Sequence, residues 1–300
     1  MPSHVCLCAD PVWGYRGDLT QGAALMLDSA DASALLDVTD SVGVRIRGLV
    51  LSGADIRTDK PIHGIFLNNE KRYSKCENIL TIEDCKVMKF PGDGVSLKRA
   101  WLFVIRRNLF MKNDGCGVRV HGCDGFVSDN QFSSNGGDGF SYEMGCSTVM
   151  FTANRVEWNH GCGLNICEGD TWNITGNSFD RNWGAAIRVE KINTSTITGN
   201  TFRRCGKDSA KLPDGKEASA GVILLCSQGL TVTGNAFVAG HDDGGTGDNT
   251  PQVGMIVEGL TNSVITGNVL HRGYMKTPFV DRGGHGEGVI IKDNPGSAME

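Results

Sequence analysis

The chain has 300 residues, enough for one large hydrophobic core or two smaller ones. A formal net charge of −5 lacks the basic footprint of a nucleic-acid binder, and no apolar run is long enough to span a bilayer as a helix. With 41 glycines but 8 prolines, the composition points to many tight turns rather than to disorder or a collagen repeat.

The opening "MPSHVCLCADPVWGYRGD" has no basic region followed by an apolar stretch, so no secretory signal is expected. The compartment stays open, with an extracellular or virion-associated setting expected for a mature or trimmed chain. Residues 1–35 carry no repeat and are expected to form an N-terminal cap, with the repeating body over 36–300. Eleven cysteines form no CxxC pair; they are expected to be small, reduced core residues, with disulfides or metal binding as the alternative.

From residue 64 a small residue repeatedly opens a strand-like run: Gly64, Gly94, Gly117, Gly139, Gly163, Ala186, Gly221, Gly254 and Gly288. The runs read "GVSL", "GVRV", "GFSY", "GLNI", "AIRV", "GVIL", "GMIV" and "GVII" from Gly94 on, apolar at their second and fourth places, which is the period of a half-buried strand. A second landmark is an asparagine at 108, 130, 154, 177, 200, 235 and 268, in phrases such as "NITGNSF", "TITGNTF" and "TVTGNAF". A third lies five residues later, at Asn113, Asn135, Asn159 and Asn182. A unit of about 23 residues cannot bury its apolar face alone, so consecutive units must stack. The expected fold is all-β: a right-handed parallel β-helix of about 9–11 coils, each of three short strands, rising about 4.8 Å per coil. The asparagines suit turns that use the left-handed conformation, and their stacked amides form a ladder along the rod.

The "ITGNxF" units, the asparagine ladder and the "DGV", "CGV", "DGF" and "CGL" strand openings resemble the pectate-lyase-like right-handed β-helix superfamily over about residues 36–295. That resemblance implies carbohydrate binding across the sheet of small-residue-led strands. It includes lyases, uronan epimerases, glycoside hydrolases, phage tailspikes and non-catalytic members, and so leaves the activity open.

Alternation names the side chains on that outer face. They are Ser96 and Lys98, Arg119 and His121, Ser141 and Glu143, Asn165 and Cys167, Arg188 and Glu190; the face then turns apolar with Ile223, Leu225 and Ile256. Ion-paired, solvated charge is the plain reading of such a face. The chemical reading is an enzyme acting on an acidic polysaccharide by β-elimination or C5-epimerisation. Arg119, Arg188 and Lys98 would steady the enolate-like intermediate, and His121 or Lys98 would take the proton. Glu143 and Glu190 would hold a Ca²⁺ ion on the uronate, or serve as the carboxylate pair of a glycoside hydrolase at about 9.6 Å by strand spacing. A non-catalytic or phage-tail-type glycan-binding rod is the remaining reading.

Trp158, His160 and Trp183 offer ring faces for sugar stacking, or fill the core. Insertions at 205–219, 240–252 and 273–287 are expected to wall one edge of the groove, and one at 68–79 the other. "HDDGGTGD" at 241–248 does not have EF-hand spacing, and "GGDGF" at 136–140 opens no helix and so is no phosphate loop. The expected partner is a polysaccharide or oligosaccharide, with no nucleic acid and no membrane, on a monomer or homotrimer.

Overall fold

In a computed structural model the chain is all-β, and its described residues are 1–11, 14, 20–71, 77–144, 148–207, 210–211, 217–238, 249–271 and 275–296. Three strands per turn stack into parallel files. The first file runs from Ala34–Asp37 and His63–Asn68 through Phe140–Tyr142, Leu164–Ile166 and Ile187–Glu190 to Val253–Glu258 and Thr277–Asp281. The second begins at Cys6–Cys8 and Arg45–Arg47 and ends at Val264–Thr266 and Ile290–Lys292. The long strands Val95–Arg106 and Val118–Ser128 each serve both files in one run, which is why the two merge into a 20-stranded sheet among the described residues. The third file is a separate 10-stranded sheet from Ala24–Met26 to Val269–His271, a length that agrees with 9–11 coils. No helix of the described residues is long and apolar enough to cross a membrane.

Register follows the repeat. Val95, Val118, Phe140, Leu164, Ile187, Val222 and Met255 are partners in succession down the first file, and all are buried. Phenylalanines line up in the same way. Phe110 stacks on Phe132 at 5.2 Å between centroids, and Phe202 meets Phe237 at 4.8 Å. Offset ring pairs add to what area burial already contributes.

The asparagine ladder is continuous and longer than the repeat count suggested. Asn108 Nδ2 donates to Asn130 Oδ1 at 3.0 Å, and the same link repeats through Asn154, Asn177, Asn200, Asn235 and Asn268 to Asn294. Each Oδ1 also accepts the backbone N–H of the preceding coil's asparagine, and each Nδ2 also reaches a backbone carbonyl, as in Asn177 to Phe151 O at 2.9 Å. The left-handed residue is not the asparagine, as its turn chemistry had suggested, but its predecessor: Arg107, Asp129, Ala153, Gly176, Gly199, Gly234 and Gly267. Glycine in "TGN" therefore answers the backbone, and asparagine answers the unpaired N–H groups of a buried turn. The second ladder, Asn113 to Asn182, ends with Asn182 Nδ2 on Cys205 Sγ at 3.5 Å. A third ladder, of serines, escaped the sequence reading: Ser195, Ser227 and Ser263 each accept the N–H of a residue one coil earlier.

Two assignments are corrected. "GVII" from Gly288 is not a first-file strand, because Ile290–Lys292 pairs with Val264–Thr266 in the second file. The first file instead closes with Thr277–Asp281, where Phe279 takes the register of Met255 without a leading glycine. The supposed insertion 273–287 consequently contains that strand. Residues 1–35 contain the strands Cys6–Cys8 and Ala24–Met26 and the start of Ala34–Asp37, one in each of the three files.

Asn177→Ala should lower unfolding stability by about 2–3 kcal/mol, because it strands the Asn154 amide and its backbone N–H in a dry turn. Denaturant unfolding measures this, and a loss below about 0.5 kcal/mol would show that the ladder only accompanies the stacking.

Candidate functional site

The outward side chains of the first file form one polar face, and its ion pairs organise it. Lys98 Nζ lies 2.9 Å from Glu70. Arg119 bridges Glu143 at 2.7 Å and Asp93 at 3.1 Å, with its Nη2 3.3 Å from Cys116 Sγ. Arg188 pairs with Glu190 at 2.7 Å and reaches Asn165 Oδ1 at 3.5 Å. Each of the three cations that the sequence placed here thus meets a carboxylate. Burial opposes the charge of the Arg119 guanidinium, but the Cys116 sulfur and the Asp93 and Glu143 carboxylates outweigh it and push its pKa up.

His121 sits among these charges as a neutral ring. Burial first, and then Arg99, pull its pKa below the ordinary histidine value, and its Nε2 is buried without a hydrogen-bond partner. Cys167, between Glu143 and Glu190 in the register, is an exposed free thiol pushed up by burial and opposed by Arg188.

The sequence reading missed the residues just before the strand. Asp93 and Asp138 occupy the turn that opens their coils, where alternation no longer tells in from out. Asp93 Oδ1 accepts the Cys116 N–H at 2.7 Å, and Asp138 Oδ1 accepts the Cys162 N–H at 2.7 Å. Their second oxygens take Arg119 Nε and, at 3.0 Å, Asn165 Nδ2. A Cβ on Gly115 would stand 2.4 Å from Asp93 Oδ1, and one on Gly161 2.3 Å from Asp138 Oδ1, so each carboxylate demands a glycine one coil on. Asp138 is pushed above the usual carboxylate value, chiefly by burial and against the hydrogen bonds of Asn165 and the Cys162 amide. His63 Nδ1 accepts the Asp93 N–H at 3.0 Å, which fixes a neutral ring that burial also favours. The visible signal was the alternation of Asp-Gly at 93–94 and 138–139 with Cys-Gly at 116–117 and 162–163.

The ring residues separate. His160 and Trp183 stack at 3.9 Å on the turn edging this row, and Lys207 Nζ lies 4.0 Å over Trp183. Trp158 stands apart, at the end of the third file under the Arg181 guanidinium. Beside His160 is a hollow of about 410 Å³ walled also by Asp55, Arg57, Lys89, Lys112 and Asp114, which the loop after Val50–Ser52 helps to close. At the far end Ile223, Leu225 and Ile256 point outward yet are at most 2 % exposed, packed with Ala218, Val253 and Val280. Ala218 comes from the short antiparallel pair Ala210–Lys211 and Glu217–Ala218, so the 205–219 insertion covers the apolar end of the face. Most of 240–252, including "HDDGGTGD", lies outside the described residues.

These features define a right-handed parallel β-helix with a polar, ion-paired lateral face. The chain belongs to the right-handed β-helix family, whose model, "Right handed beta helix region", matches residues 144–299, and to the family described as "Periplasmic copper-binding protein (NosD)", whose model matches 47–215. Among solved structures it is similar to tailspike protein 2 of bacteriophage CBA120 (12% identity, TM-score 0.61), covering 81% of this chain and 39% of that one. It is also similar to the catalytic unit of the GH87 α-1,3-glucanase of Streptomyces thermodiastaticus (15% identity, TM-score 0.57), covering 89% and 53%. The chain thus spans about two-fifths of that tailspike and about half of that glucanase. A search of curated protein sequences gives no match. Such likenesses establish the fold. Among the described residues no group of three or more His, Cys, Asp or Glu is placed to hold a metal ion.

A carboxyl with a raised native pKa is tolerated when protonated and penalised when ionised. Wild-type protein should therefore lose melting temperature relative to Asp138→Asn as pH rises from about 3 to about 6. A difference between the two that stays constant across that range would show that burial does not penalise the Asp138 charge.

Proposed function

We propose that the first-file face binds and hydrolyses a neutral glycan, with Asp138 as proton donor. The observation that carries this reading is the pairing of Lys98, Arg119 and Arg188 with Glu70, Asp93, Glu143 and Glu190. A face already neutralised by its own carboxylates has little positive field left for a polyanion. It does offer carboxyl groups in contrasting surroundings, the arrangement that acid–base hydrolysis uses. Asp138 is raised by burial, as a general acid requires, and stands on the row edged by the His160–Trp183 stack. Asp93 lies two coils away, about 9.6 Å by strand spacing, near the upper limit for an inverting pair. Glu143 and Glu190 have the same two-coil offset and form the alternative pair. The likeness to a glucanase catalytic unit and to a tailspike agrees with a glycan as partner.

The elimination reading keeps one specific support, the neutral His121 with its unpaired Nε2. One assay separates the two. The protein is incubated with α- and β-glucans and with alginate and pectate, while reducing ends and unsaturated-uronate absorbance are followed. Hydrolysis yields reducing ends from a neutral glycan without the absorbance, and Asp138→Asn lowers kcat by about 10²–10⁴-fold while remaining folded. Absorbance on a uronan that disappears in His121→Ala would replace hydrolysis with elimination. Full activity in Asp138→Asn would remove Asp138 from the chemistry.

A further inference from the structure

The hollow beside His160 lies on the turns that carry the chain from the third file back to the first, and the small residues of one coil open it. Each third-file strand here is followed by a residue in the left-handed conformation, and Lys89, Lys112, Ser134 and Trp158 take that place on successive coils. Two residues further on stand Asp114, Gly136 and His160. The coil of Gln131–Ser133 thus puts a serine and a glycine where its neighbours put long side chains. No larger residue fits at Gly136, because a Cβ there would stand 2.3 Å from the Asp114 carbonyl oxygen. The resulting space is about 410 Å³, against about 30 Å³ for a water molecule's share of the liquid.

The loop that helps to close this hollow is wound against its preference. Ile56 N–H donates to the Gly53 carbonyl at 3.0 Å across a tight turn whose central residues, Ala54 and Asp55, have φ of 54° and 57°. Neither is glycine, so that backbone is held at a steric cost. Its effect is placement: Asp55 meets Lys89 Nζ at 2.8 Å, and Arg57 comes to 3.8 Å from Asp114. The first contact is a hydrogen-bonded ion pair, and the second is beyond hydrogen-bond range. Among the described residues no hydrogen bond occupies the Arg57 guanidinium, which is 80 % exposed, so its planar fork of donors is available to a ligand. Lys112, the Ser134 hydroxyl and the His160 ring line the same hollow.

A guanidinium fork and an ammonium on one hollow suit a phosphate monoester, which brings three acceptor oxygens and a charge of about −1.5 to −2 at neutral pH. The phosphate group leaves most of the volume over, and a sugar ring fits beside His160, which the stack on Trp183 holds in place. We propose that this hollow is a binding site for a phosphorylated sugar, with Arg57 and Lys112 on the phosphate and Ser134 and His160 on the ring hydroxyls. Asp55 neutralises Lys89, and Asp114 competes with the phosphate for Arg57. The hollow opens two residues before Asp138, at Gly136, but phosphate binding needs no cleavage, so the proposal is independent of the hydrolytic reading.

The full chain is titrated by calorimetry at pH 7 with glucose 6-phosphate, glucose, glucuronate and inorganic phosphate. Glucose 6-phosphate should bind at a single site about tenfold more tightly than each of the other three, and Arg57→Ala and Lys112→Ala should each weaken it about tenfold. Asp114→Asn should tighten it, because the competing carboxylate is gone. All three side chains are exposed, so each variant should melt at the wild-type temperature. Absence of saturable binding, equal affinity for glucose, or tighter binding of glucuronate would overturn the assignment. Weaker binding by Asp114→Asn would overturn it too, since Asp114 would then be accepting from a sugar hydroxyl. Inorganic phosphate binding as tightly as the ester would remove the sugar from it. Asp138→Asn should bind glucose 6-phosphate as the wild type does, so a failure of hydrolysis and a failure of this site are read separately.

Discussion

The structure depends on a buried turn whose backbone N–H groups must be satisfied on every coil. One residue type solves this, because an asparagine amide both donates and accepts and so can pass the same bond to the coil above and the coil below. Asn108 through Asn294 carry that solution without a break. An aspartate would repel its stacked copies, and a serine lacks the second donor. The ladder therefore fixes the register of each coil against the next. A one-residue slip would turn every outward side chain of the first file into the core.

Register in turn decides which charges meet. Arg119, Glu143 and Asp93 belong to three different coils, at sequence positions 119, 143 and 93, and are neighbours only because those coils are locked. Arg188 and Glu190 meet along one strand, and Asn165 joins them to Asp138 on another coil. Two diagonal strings of contacts result, each beginning at a turn carboxylate and ending at an outer glutamate. A partly buried string of this kind is screened less by salt than isolated surface pairs and holds the face rigid.

How much of this was legible depended on which rule governed each residue. Period-two alternation placed Lys98, Arg119, His121, Glu143, Asn165, Arg188 and Glu190 on one sheet, because side-chain direction in a strand is set by the backbone alone. Alternation stops at the turn, so Asp93 and Asp138 had no direction assigned, although their spacing was readable. Pairing was also out of reach: that Arg119 is spent on carboxylates is a property of neighbouring coils, and a list of outward residues gives types without contacts. Gly288 misled for a related reason. A leading glycine is neither sufficient for a first-file strand, since Gly288 opens a second-file one, nor necessary, since Thr277–Asp281 fills that place with Pro278 at the crowded position. Trp158 was grouped with His160 and Trp183 by proximity in sequence, yet two residues round a tight coil carry a ring onto a different edge.

The ends and the middle of the rod obey different constraints. In the middle, each outward position has a neighbour above and below, and charge is neutralised by stacking opposite signs one coil apart. Among the described residues the strand Cys6–Cys8 pairs with Arg45–Arg47, which sets Arg45 and Arg47 beside its outward side chains. Those arginines are themselves drawn to Glu83 and Asp84 on the next coil, at 3.7 and 3.3 Å, which keeps both cations close to the strand.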